Sequence, residues 1–227
     1  MVDKETITII ERLRSMSNKS ALEGMGRFGI STEHALGISI PELRAIAKRI
    51  GTNHKIALGL WNSRIHEARI LASFVDDPAL VTQRQIEEWV NDFDSWDLCD
   101  QCCSNLFDRT KFAYSKALGW TKSKKEYVKR AGFVMMAALS VHNKGMKDAE
   151  FERFLPIIER ECLDERNFVK KAVNWALRQI GKRNKNLNKA AIQYAERIAK
   201  KDSRGARWIA KDALRELTSA SIRKRLS

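Results

Sequence analysis

The sequence predicts an all-α fold: a HEAT-like or armadillo-like α-solenoid of stacked antiparallel helix pairs with a basic concave face. Three observations predict it. Apolar and charged residues alternate at helical period over long stretches, and no strand-like run of alternating β-branched residues appears. Prolines are few, Pro41, Pro78 and Pro156, and the segments between periodic stretches are short. A weak repeat also runs through the second half. Val128-Lys-Arg-Ala-Gly-Phe-Val-Met-Met-Ala-Ala-Leu139 overlays Val169-Lys-Lys-Ala-Val-Asn-Trp-Ala-Leu-Arg-Gln-Ile180, which in turn overlays Ala206-Arg-Trp-Ile-Ala-Lys-Asp-Ala-Leu-Arg-Glu-Leu217. Periods of about 40 residues with paired helices mark HEAT-like and armadillo-like units. The alternative is an irregular helical bundle, since helices resemble one another without a common unit.

Taken in order, the periodicity places helices over 4–17, 41–50, 53–61, 64–74, 82–92, 96–107, 110–119, 124–142, 149–162, 166–183, 187–201, 205–217 and 219–225. The helix at 64–74 holds a poorer copy of the repeat, Ile65-His-Glu-Ala-Arg-Ile-Leu-Ala-Ser-Phe74. The one at 96–107 has Ser95 as its expected N-cap and Asp97 in its first turn. Helices 124–142, 166–183 and 205–217 carry the repeat itself. No linker marks a boundary, so residues 1–227 are expected to form a single domain. Gly24-Met-Gly-Arg-Phe-Gly29 matches a dinucleotide-binding pattern, but no strand precedes it and no βαβ unit follows. Its glycines are expected to shape a helix-to-loop junction.

In the 166–183 helix, Val169, Ala172, Val173, Ala176, Leu177 and Ile180 form the core stripe. Trp175 lies off that stripe. It shares the other face with Lys171, Arg178 and Lys182, at helical spacing. An aromatic ring among cations suits a flat, negatively charged partner such as nucleic acid. The alternative is a Trp covered by a neighbouring helix with Lys and Arg snorkelling around it. The overlay puts Arg130, Lys171 and Trp208 at one repeat position. Arg207, Lys211 and Arg215 line one face of the last long helix, opposite Ile209, Ala213 and Leu217.

The chain holds 42 Lys and Arg against 28 Asp and Glu, a net charge of +14. Residues 1–119 hold 15 basic and 16 acidic side chains, and residues 120–227 hold 27 and 12. The whole excess lies on the Trp175 side of the sequence. That asymmetry points to a polyanion partner, or more plainly to a solvated basic surface. No run of apolar residues is long enough to span a membrane, and the start of the chain has no signal-peptide pattern. A cytoplasmic protein is expected, nucleoid-associated when bound to DNA. The cysteines Cys99, Cys102, Cys103 and Cys162 are expected as reduced thiols in the core. Cys99 and Cys102 have ligand spacing, but His34, His54, His66 and His142 are scattered, so no metal and no cofactor is expected.

One segment looks chemical. In Asp94-Ser-Trp-Asp-Leu-Cys-Asp-Gln-Cys-Cys-Ser-Asn-Leu-Phe107, Trp96 and Asp100 stand one turn apart on one face. A ring beside a carboxylate suits a cation. Asp100 could also simply pair with a basic neighbour such as Arg130. A carboxylate on a DNA-binding surface opposes phosphate unless a positive charge appears beside it. A purine alkylated at N3 or N7 supplies one, and its glycosidic bond breaks through an oxocarbenium-like sugar that one carboxylate can stabilise. Ordinary glycoside cleavage needs a second carboxyl group as acid. A cationic base is already a good leaving group, and no acid partner is apparent here.

With these residues in view, the chain resembles the AlkD family of DNA alkylation repair glycosylases, built from HEAT-like repeats. The resemblance covers most of the chain, from about Met25 to Leu217. Its blocks are Ser95-Trp-Asp-Leu-Cys-Asp100, Tyr127-Val-Lys-Arg-Ala131 and Phe168-Val-Lys-Lys-Ala-Val-Asn-Trp-Ala-Leu-Arg178, with Met25-Gly-Arg-Phe-Gly-Ile30 and Gly37-Ile-Ser-Ile-Pro-Glu-Leu-Arg44 nearer the start. It implies a catalytic Asp at Asp100, aromatic plates at Trp96 and Trp175, a catalytic-site Arg at Arg130 and a backbone-contacting Arg at Arg178. The family's lesion-facing Tyr is replaced by Phe28. The implied activity is monofunctional excision of N3- and N7-alkylated purines from double-stranded DNA, without flipping the base into a pocket. Lys171, Lys182, Arg207 and Lys211 join Arg178 and Phe28 as expected DNA contacts, and a monomer is expected. The alternative is a HEAT-repeat protein that binds DNA, branched DNA included, without excision.

Overall fold

The computed structural model describes residues 3–226, and its chain clusters into two compact units, Met1–Lys111 and Phe112–Ser227. Among the described residues all regular structure is helical. The first unit contains α1 (Lys4–Ser15), α2 (Lys19–Arg27), α3 (Ile40–Ile50), α4 (His54–Asn62), α5 (His66–Val75), α6 (Gln83–Asn91) and α7 (Trp96–Asn105), then a single 3-10 turn at Phe107–Arg109. Helix α5 is its centre and packs on α1, α3, α4 and α7. Ala68, Ile70, Leu71, Ala72 and Val75 are all buried, and so are His66 and Glu67. A helix apolar on nearly every side belongs inside, and α5 obeys that rule.

Glu67 is a buried carboxylate, which is costly unless its oxygens are bonded. It accepts backbone N–H bonds from Leu36 at 2.8 Å, Gly37 at 2.7 Å and Ile38 at 3.3 Å. This clamp fixes the loop that leads into α3. Gly37 sits there at φ 80°, and a Cβ on it would lie 2.3 Å from the Asn18 carbonyl oxygen. Elsewhere in the unit, the Trp61 and Trp89 rings stack at 3.9 Å with 3° between planes and close the core between α4 and α6.

The second unit contains α8 (Ala113–Trp120), α9 (Glu126–His142), α10 (Asp148–Glu152), α11 (Leu155–Glu161), α12 (Asn167–Gly181), α13 (Lys185–Ala199), α14 (Arg204–Leu217) and α15 (Ala220–Leu226). Helix α12 packs on α9, α13 and α14, and α9 packs also on α8. The repeated segments are therefore the inner helices of this unit. Their small residues, Ala131, Ala172, Ala176, Ala206, Ala210 and Ala213, are all buried and let helices approach closely.

Two sequence expectations are corrected here. The glycine-rich stretch is a helix, α2, with Gly24 and Gly26 inside it. Only Gly29 works as a stop. It has φ 74°, its N–H reaches Gly26, and the Ile30 N–H reaches back to Met25, the double bond of a Schellman cap. The single helix expected over 149–162 is two, α10 and α11. Pro156 falls in the first turn of α11, where its missing N–H costs nothing, whereas inside one long helix it would break the ladder.

Candidate nucleic-acid interface

In the first unit, α7 presents the candidate chemistry. Ser95 takes the N-cap position in extended backbone, as its sequence position implies, but its side chain makes no capping bond. The first turn is held another way. Asp97 accepts from His66 Nε2 at 2.8 Å, and His66 is only 4% exposed. Burial pushes the His66 pKa down, but the hydrogen bond and charge of Asp97 outweigh it and raise the pKa. Burial would likewise raise Asp97, yet the bond to His66 leaves its pKa lowered. The two groups form a buried ion pair that ties the start of α7 to the start of α5.

Above that anchor, Leu98, Cys99, Cys102 and Cys103 turn into the core. Burial pushes the Cys102 and Cys103 thiols well up, so they are packing groups. Trp96 and Asp100 are left half-buried on another face. The indole Nε1 of Trp96 donates to the Phe28 carbonyl oxygen at 3.0 Å. Phe28 is the C-cap residue of α2, and its ring is 73% exposed. The Schellman cap thus places Phe28, whose carbonyl anchors the Trp96 indole N–H. Among the described residues, no group of three His, Cys, Asp or Glu could hold a metal ion. Among the described residues, no helix is long and apolar enough to cross a membrane.

In the second unit, Arg130 is on α9 and only 5% exposed. One guanidinium nitrogen donates to the Phe168 carbonyl at 2.6 Å, in the first turn of α12. Trp175 is half-buried on α12, and Lys171 one turn before it is exposed. Arg178 and Lys182 are not free cations. Arg178 meets Glu216 at 2.9 Å and Asp212 at 3.5 Å, and Lys182 meets Glu216 at 2.8 Å. Asn174 completes the ladder by donating to Asp212 at 2.7 Å. Burial raises the Glu216 pKa, but Lys182 and Arg178 outweigh it and hold the carboxyl below its usual range. Arg207 and Lys211 are exposed on α14, and Arg207 reaches only the fully exposed Asp202, at 3.3 Å.

The expected residues therefore gather by unit. Phe28, Trp96 and Asp100 belong to the first, with Phe28 bonded to Trp96. Arg130, Lys171, Trp175, Arg178, Lys182, Arg207 and Lys211 belong to the second, on helices that pack on or include α12. Residues 112–227 carry 28 Lys and Arg against 12 Asp and Glu, so this unit holds the positive field. Three parts of the arrangement were not foreseen: the Phe28 carbonyl, the His66–Asp97 pair and the Asp212–Glu216 counter-ions. Asp212 and Glu216 sit at i, i+4 on the face of α14 beside Arg215, which was the available signal.

Comparison with known proteins agrees with this fold. A family model described as DNA alkylation repair enzyme matches residues 9–217. A solved structure with TM-score 0.79 and 18% identity covers 97% of this chain and 95% of its own. It comes from a family of proteins related to the HEAT-like repeat DNA glycosylases with affinity for branched DNA structures. No curated protein matches the chain.

Proposed function

The chain belongs to the family of DNA alkylation repair enzymes, and from that premise we propose that it is a monomeric DNA glycosylase. Its substrate is a cationic N3- or N7-alkylated purine in duplex DNA. The observation that carries the reading is the pair on α7: a tryptophan ring fixed by its N–H to the Phe28 carbonyl, with the Asp100 carboxylate one turn away. A fixed ring and a carboxylate suit a cation, and a carboxylate is a poor choice for phosphate.

The reaction is hydrolysis. The C1′–N9 bond breaks, its electron pair returns to the base, and the base leaves as a neutral alkylpurine. Positive charge moves to the sugar, where the Asp100 carboxylate stabilises it and orients water. Water adds its oxygen to C1′ and loses a proton, leaving an abasic site. Trp96 offers a ring face to the charged nucleotide, and Trp175 offers an aromatic contact to DNA on the second unit. Arg130 fixes the start of α12, and Lys171, Arg207 and Lys211 meet phosphates. Arg178 and Lys182 reach phosphate only by sharing their charge with Glu216, so each contributes less than an unpaired cation.

A second reading is a DNA-binding protein without excision, favoured by the affinity for branched DNA of the structurally similar protein and by Phe28 lacking a hydroxyl. Duplex DNA bearing N7-methylguanine separates the two. The glycosylase releases free base and leaves an alkali-labile site. Binding without release of either N7-methylguanine or N3-methyladenine supports the second reading.

A further inference from the structure

Trp208 is the largest apolar side chain of the second unit left in solvent, 41% exposed on α14. Tryptophans are usually among the most buried residues on average, so an exposed indole calls for an explanation. It stands in a row. Arg204 lies one turn before it, Lys211 one turn after and Arg215 two turns after, all four exposed. The opposite face, Ala206, Ile209, Ala210, Ala213 and Leu217, is buried against the core. Lys170 of α12 adds a fourth charge, its Nζ 5.6 Å from the Trp208 ring centroid. Among the described residues neither Arg204 nor Lys211 has an ion-pair partner, whereas Arg215 shares Asp212 with Arg178. The helix start is held rigidly, because Glu165 accepts from the Ser203 hydroxyl at 2.7 Å and from the Gly205 N–H at 3.2 Å.

We propose that the Arg204–Trp208–Lys211 row, which includes the phosphate contact Lys211, is a stacking platform for an unpaired nucleotide, formed by residues other than Trp96, Asp100, Arg130 and Trp175. The inference rests on the reading of this chain as a DNA-binding protein. The cations fit phosphates on either side of the ring. The ring needs a base face, and a base within an intact duplex offers none, because both its faces are already stacked. The partner is therefore a nucleotide at a gap, an overhang or a strand junction. Base–aromatic stacking is insensitive to sequence, so the preference is for structure, not for a particular base.

The test compares the affinity of the full chain for a blunt duplex and for the same duplex carrying a single-stranded gap. Trp208→Ala and Trp208→Phe are measured beside the wild type, with thermal melts to confirm that each variant folds. The wild type should prefer the gapped DNA. Trp208→Ala should reduce that preference by about tenfold, and Trp208→Phe should restore most of it. An equal loss on both DNAs would mean that the ring touches sugar or backbone of the duplex, and would overturn the proposal. So would an unchanged preference. A wild type that binds neither DNA in a salt-sensitive way overturns the DNA reading itself, whereas lost base release with an intact gap preference removes only the glycosylase.

Discussion

In a protein that binds DNA, a carboxylate works against nearby phosphate, so in the proposed reaction the Asp100 charge costs binding energy that a cationic lesion offsets. That cost makes its removal diagnostic. Asp100→Asn keeps the shape and deletes the charge. Excision should fall by on the order of a hundredfold or more, while DNA affinity stays level or rises. A variant that fails to fold would instead mark Asp100 as a structural counter-ion. Trp96 should behave differently. Trp96→Ala loses ring contact with the charged nucleotide, on the order of 0.5–2 kcal/mol of transition-state stabilisation, read as kcat/KM on N7-methylguanine DNA. Trp96→Phe keeps a ring but loses the bond to Phe28, so its loss should be smaller and should appear mainly in kcat. The i, i+4 relation of Trp96 and Asp100 was legible in the sequence because helical register is local. The bond from Trp96 to Phe28 was not, because it joins residues 68 apart through the exit geometry of α2.

Helix α7 depends on the His66–Asp97 pair, and that pair titrates. The folded His66 pKa is raised above its ordinary value of 6.5, so its contribution is full below that value and is lost as pH rises through the folded pKa. The folded Asp97 pKa is lowered from 3.8, so its contribution is present above 3.8 and is lost as pH falls through the folded value. Stability from the pair is thus greatest between those limits. His66→Gln should lower the melting temperature at mildly acidic pH and flatten the loss of stability on the alkaline side. An identical pH profile for wild type and variant would show that the pair contributes nothing. Between α12 and α14, Glu216→Gln releases Arg178 and Lys182 from a counter-ion. It should tighten duplex binding and steepen the salt dependence, read by titrating salt in a binding assay, at some cost in melting temperature. The sequence displayed Arg178 and Lys182 as a cationic face but hid this ladder, because the register of α14 against α12 is set by packing between distant segments. Helix α2 was hidden for a simpler reason: Gly24 and Gly26 disfavour a helix by propensity, and its Schellman cap shows only in the backbone.

At the scale of the whole chain, the all-helical HEAT-like class was legible because long amphipathic periods and a repeat of about 40 residues are coarse signals that survive errors at element ends. The charge asymmetry was legible too, since it needs only counting. Binding to undamaged duplex should therefore weaken steeply as salt rises, and substitutions of Lys171 or Lys211 to Ala should lower the slope. The proposed reaction uses one carboxylate, Asp100, and invokes no general acid. Only a base that is already cationic can leave, so neutral lesions should persist. Base release from matched duplexes carrying N7-methylguanine, N3-methyladenine or uracil, compared for wild type and Asp100→Asn, tests this most directly. Release of the two alkylpurines by the wild type alone, with uracil untouched by either protein, is the predicted result. Efficient release of uracil, or equal release by Asp100→Asn, would contradict it.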